Sequence, residues 1–168
     1  MTKSDTSPTF PEPTLYVHSW TDPVLDQLGH DPRSAYVDQF WIPILGPSSH
    51  LLHRHLVALL ETSDEGTAIT TAEWAVDLGL GIRGGKHGPF WRSIDRLARF
   101  GALHRAGPNL TVRRRLAPLN QRQLANLAPH LKAKHAEWEA EQLKNSRRQT
   151  VVRYQPHQTT PWEGDVAS

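Results

Sequence analysis

Cysteine is absent from all 168 residues. That excludes a disulfide framework, a thiolate-ligated metal and a cysteine nucleophile, and it suits a reducing compartment. Long apolar runs are absent too: none approaches the ~20 residues that a membrane-spanning helix needs. Met1–Pro13 is rich in Ser, Thr and Pro and lacks the apolar stretch of a signal peptide. These absences lead us to expect a soluble, cytoplasmic protein. Catalytic signatures are also missing. There is no G-x-S-x-G, and the G-x-G-x-x-G match at Gly79–Gly84 follows a helical pattern where a nucleotide fold would need a strand. His50 and His53 lie on a Leu-rich stretch with no acidic residue at i+3 or i+4, so partly buried, hydrogen-bonded histidines are expected there in place of a metal site. No enzyme activity, cofactor or metal is expected.

What the chain does have is a separation of charge. The formal net charge is only +2. Met1–Ile82 nevertheless carries three basic residues against eleven acidic ones, a net of −8. Arg83–Arg115 carries nine basic residues against Asp95 alone, a net of +8. One sign of charge gathered in one segment is the footprint of a polyanion binder.

Within that segment, Pro89 suits the first turn of a helix. Trp91, Ile94 and Ala98 fall on one face of that helix, with Phe90 and Leu97 beside them, and Arg92, Arg96 and Arg99 line another. Ala102–Arg105 and Leu110–Arg113, joined through Gly107-Pro108-Asn109, read as a hairpin.

Upstream, Met1–Pro13 reads as a disordered tail and residues 14–34 as an arm, with Thr14–Trp20 a short strand or extended stretch. Asp22-Pro23 opens a helical turn closed by Gly29. Ala35–Leu45 holds the densest apolar patch and should be core. Pro47 starts a helix over about His50–Glu61, and Thr70-Thr71-Ala72-Glu73 matches a capping box opening a short helix. Downstream, residues 117–144 read as a helical extension. Asn120 and Gln123 form a second capping box there, Pro129 interrupts the helix, and Leu124, Leu127, Leu131, His135 and Trp138 make a stripe. Residues 145–168 read as a second disordered tail. The expected fold is mainly α with a small β-hairpin wing: a winged helix-turn-helix over 35–116 plus C-terminal helices.

Two stretches resemble known families. Phe40-Trp41-Ile42-Pro43-Ile44-Leu45-Gly46-Pro47 before a Leu-rich helix is similar to the start of the winged-helix domain in the bacterial DnaD/DnaB replication-initiation family. Arg96-Leu97-Ala98-Arg99-Phe100-Gly101-Ala102-Leu103 is similar to the end of the recognition helix and first wing strand of bacterial winged-helix regulators. These resemblances cover about Tyr36–Leu116. They imply a winged helix and, more distantly, a role in transcription regulation or replication. The chain after the wing does not resemble the DnaD C-terminal domain.

The expected partner is double-stranded DNA. Lys86, His87, Arg92 and Ser93, near the start of the recognition helix, are the candidates for base or near-base contacts. Arg96 and Arg99 suit phosphates. Gly84, Gly85 and Gly88 would let backbone amides approach a phosphate at the helix start. Arg113 and Arg115 on one strand face, with Arg105 on the partner strand, would follow the backbone or enter a minor groove, leaving Arg114 to the fold. The alternative is a winged helix used for protein contact, with a protein partner or a second copy engaging the C-terminal helix. RNA is disfavoured because the basic segment has few aromatics for stacking bases.

Overall fold

The structure is a computed structural model that describes residues 12–63, 66–81 and 83–153. Its contacts divide into two units, Met1–Leu127 and Ala128–Ser168. It is mainly helical with a small sheet ending in a hairpin wing, the fold class expected.

The first unit is built on a four-stranded mixed sheet in the order β2-β1-β4-β3. Strand β1 (Thr14–Ser19) runs antiparallel to β2 (Thr67–Thr70) and parallel to β4 (Asn109–Val112), which pairs with β3 (Leu103–Ala106) as the hairpin. The residues expected to form an arm therefore supply an inner strand. Alternation explains it: Leu15 and Val17 are fully buried while Tyr16 between them is exposed. Burying such side chains contributes ~1.5–3 kcal/mol each, against a total stability of ~5–15 kcal/mol. A detached β1 would be a large loss.

Helix α1 (Pro23–Leu28) is capped by Asp22, whose carboxylate accepts from Leu25 N–H at 3.2 Å. The apolar patch coils as a π-helical turn, Val37–Trp41, continued by α2 (Ile42–Leu45). Tyr36, Val37, Phe40, Trp41 and Leu45 are core. Helix α3 (Pro47–Thr62) buries Leu52, Leu56, Val57 and Leu60 together with His50 and His53. Helices α4 (Thr71–Asp77) and α5 (Pro89–Arg99) are joined by the glycine-rich turn, and α5 buries Phe90, Trp91, Ile94 and Leu97. A Schellman motif ends α5: Ala102 N–H donates to Leu97 O and Gly101 N–H to Ala98 O. Gly101 sits at φ 73°, where a side chain would be strained. This pair of bonds swings the chain directly into β3.

Beyond the wing the chain returns to the N-terminal elements. His30 and Leu116 exchange backbone hydrogen bonds, Trp41 Nε1–H donates to Ala117 O at 2.9 Å, and Leu119 N–H donates to the Tyr36 hydroxyl at 2.9 Å. The capping box at Asn120 and Gln123 forms and opens α6 (Gln121–Ala125).

Several expectations need correcting. Thr70 does not cap α4, because it pairs with Thr14 in the sheet; the Thr71 hydroxyl instead donates to Glu12 O at 2.6 Å. Strand β4 ends at Val112, so Arg113–Arg115 do not share a strand face. Pro129 does mark the break between two helices, but the second, α7 (Pro129–Arg153), is long and runs through part of the expected disordered tail. Of the expected stripe, Leu124 and Leu127 belong to the first unit and Leu131, His135 and Trp138 to the second. Within α7, His135 lies 3.7 Å from Glu139. The rest of the two expected tails, residues 1–11 and 154–168, lies outside the described residues.

Candidate nucleic-acid interface

The segment 83–115 is not a uniform cationic surface. Its basic side chains divide into an exposed set and a set occupied by the fold.

The exposed set centres on α5. The helix turns its apolar side inward, so Arg92, Arg96 and Arg99 all face solvent. Lys86 and His87 are exposed in the short 3-10 turn, Gly85–His87, that leads into the helix, and Arg83 and Arg114 are exposed as well. Among the described residues, no carboxylate lies within 4.0 Å of these arginines or of Lys86. Arg96 has a second tie, since its Nε donates to Ile44 O at 2.9 Å and Nη2 donates to the same oxygen. Its guanidinium also lies 5.8 Å from the Phe100 ring centroid.

Ser93 is not exposed. It retains 4% of its surface and its hydroxyl donates to Pro89 O at 2.9 Å, one turn back along the helix. That bond holds the first turn of α5 and draws the hydroxyl away from any base edge. The glycine loop also uses its own amides. His87 N–H donates to Gly84 O and Gly88 N–H to Gly85 O. A Cβ on Gly88 would meet Arg83 O at 2.7 Å, so this close backbone approach requires glycine.

The occupied set lies on the hairpin and beyond it. Arg105 stacks over Trp91 at 4.3 Å and sits 3.7 Å from Glu12. Arg113 stacks over Trp20 at 4.1 Å, with Nη1 at 3.3 Å from Asp22 and Nε buried without a partner. Arg115 donates from Nη1 to Gly29 O at 3.0 Å. Arg113 and Arg115 are thus engaged within the fold, and Arg114, expected to serve the fold, faces solvent.

Two histidines behind the site are structural. His50 Nε2 is 2.8 Å from Pro32 O and His53 Nε2 is 2.8 Å from Arg113 O. A carbonyl can only accept, so in neutral His53 the proton is on Nε2, and Nδ1 is buried without a partner. Burial, partly offset by that bond, pushes the imidazole down from 6.5 to about 4. Among the described residues, no three His, Asp or Glu side chains are grouped to hold a metal, and no helix is long and apolar enough to cross a membrane.

A cleft of about 430 Å³ lies beside the arginine stripe. Its walls are Ser48 and Ser49 at the start of α3 and Pro89, Arg92, Ser93, Asp95, Arg96 and Arg99 of α5. The two serines are not among the residues expected from the sequence. Their only signal there was the Gly46-Pro47-Ser48-Ser49 helix start, and nothing in it indicates that α5 lies opposite.

No family model and no curated protein matches this chain. Among solved structures it is similar to the crystal structure of primosome protein DnaB (residues 1–300) from Geobacillus stearothermophilus, at 15% identity and a TM-score of 0.47. The match covers 95% of this chain and 58% of that one.

Proposed function

We infer that this protein binds double-stranded DNA through α5 and its flanks, as a winged helix-turn-helix serving as a transcription regulator or a replication-associated factor. The order α3, β2, α4, glycine turn, α5 and hairpin supports the winged-helix reading. One observation carries the DNA reading. Arg92 and Arg99 stand on the solvent face of one helix with Lys86 in the turn before it, and no carboxylate among the described residues lies within 4.0 Å of them. Exposed, unpaired cations on one helix face repel one another and gain from meeting phosphates.

Arg92 is the side chain best placed for a groove, because it lies on the first turn of α5. Arg99 and Arg114 suit phosphates. Arg105, Arg113 and Arg115 serve the fold, so the footprint is smaller than the count of arginines suggests. With about four phosphate contacts, affinity falls with a log–log salt slope near −3.6. The test is fluorescence anisotropy with a labelled duplex at several salt concentrations. A flat salt response, or no binding at low salt, overturns the reading.

A role in protein contact is favoured by one feature. Val24 and Leu28 of α1 are 64% and 68% exposed, and no residue of that helix is buried. The same titration separates the two, since a protein-docking module would not retain a duplex.

A further inference from the structure

The cleft between α3 and α5 has the chemistry of an anion seat, and several independent features converge on it. Helix α3 has 16 residues and starts without a side-chain cap, because its N-cap is Gly46. Pro47 has no N–H, and His50 N–H is already bonded to Gly46 O. The backbone N–H groups of Ser48 and Ser49 are therefore the orphan donors of the first turn, at the positive end of the helix dipole. Ser49 retains only 3% of its surface, yet it lines the cleft, and its hydroxyl has no hydrogen-bond partner among the described residues. An unpartnered hydroxyl on the wall of a polar cleft is free to donate to an acceptor that enters it.

Opposite these donors stand Arg92, Arg96 and Arg99. Arg96 is held in place by Ile44 O, in the turn of chain just before α3, so its guanidinium is fixed relative to the helix start. Asp95 is the one carboxylate in the lining. Two amide N–H groups, two serine hydroxyls and the guanidinium groups make a donor set that outnumbers the one carboxylate beside it. That set fits a tetrahedral oxyanion carrying several acceptor oxygens.

We propose that this cleft seats one phosphate group, bound by the Ser48 and Ser49 amides, the Ser49 hydroxyl and the guanidinium groups of Arg92 and Arg96. Resting on the DNA reading above, the group is a backbone phosphodiester of the duplex that α5 engages. It would fix the register of α5 from its flank, leaving Arg99 for a neighbouring phosphate. A free phosphate would use the same donors.

Both sources can be tested on the full ¹⁵N-labelled chain by titrating inorganic phosphate and, separately, a short duplex at constant ionic strength, reading the Ser48 and Ser49 amide signals. The expected result is a saturable shift of both signals with the duplex, and about a fivefold loss of duplex affinity in Ser49→Ala, which adds no charge and suits a helix. Ser48→Asp, exposed and in a first turn that favours acidic residues, should lower duplex affinity about tenfold and reduce the salt slope by about one. Shifts with inorganic phosphate but none with the duplex would support the seat and overturn its assignment to DNA. Duplex binding that leaves both amides unmoved would overturn the seat while the DNA reading survives. No response to either titrant would overturn both.

Discussion

Arg92 and Arg99 belong to the same basic segment as Arg113 and Arg115, and the two pairs do different work. The first pair projects from the solvent face of α5. The second pair lies where the chain leaves β4 and turns back towards α1, so their guanidinium groups meet Trp20, Asp22 and the Gly29 carbonyl. An arginine near a returning strand finds acceptors and a ring face; an arginine in the middle of an exposed helix face finds water. A basic cluster in sequence is therefore an upper bound on the cations available to a ligand.

The sharpest test of the anchored side is pH, because the Arg113 carbonyl is held by buried His53. That imidazole titrates at about 4 in the folded chain against 6.5 as an ordinary histidine. Between those values the unfolded chain binds the extra proton, so stability is full above about pH 6.5 and falls as pH drops towards 4. The expected loss is about 3 kcal/mol, read as denaturant midpoints across the window. His53→Leu should flatten the dependence there. Asp31, held down from 3.8 to about 2 mainly by its hydrogen bond with Arg33, loses its contribution only at lower pH, so the two are separable.

On the exposed side, Arg92→Ala with Arg99→Ala should lower duplex affinity about 100-fold at moderate salt, with the thermal midpoint unchanged. A shifted midpoint with intact binding would break the distinction. Arg113→Ala should do the opposite. It removes a cation–π stack and a half-buried ion pair, costing about 1 kcal/mol in chemical denaturation, while duplex affinity changes less than twofold. The smallest effect belongs to Arg114→Ala: a loss of about threefold in affinity, no change in stability, and a salt slope lower by about one.

Much of this was legible in the residues. The proline starts at Pro47 and Pro89, the Asn120 and Gln123 capping box, the hairpin turn, the apolar face of α5 and the core status of Phe40 and Trp41 all depend on neighbours within a few positions. The four-stranded sheet was not legible, because β1 pairs with residues 50 to 93 positions away and its short alternation also suits an extended arm. The same distance hid Thr71's bond to Glu12 and left Thr70 looking like a cap.

The sequence by itself determined that one face of α5 would be cationic, because helical period and residue type decide that locally. Tertiary structure decided which of the segment's arginines remain available and that Ser48 and Ser49 would stand across a cleft from them. Those outcomes depend on where the returning chain and α3 come to lie. Side chains with no periodic relation in sequence meet only when the core between them has closed.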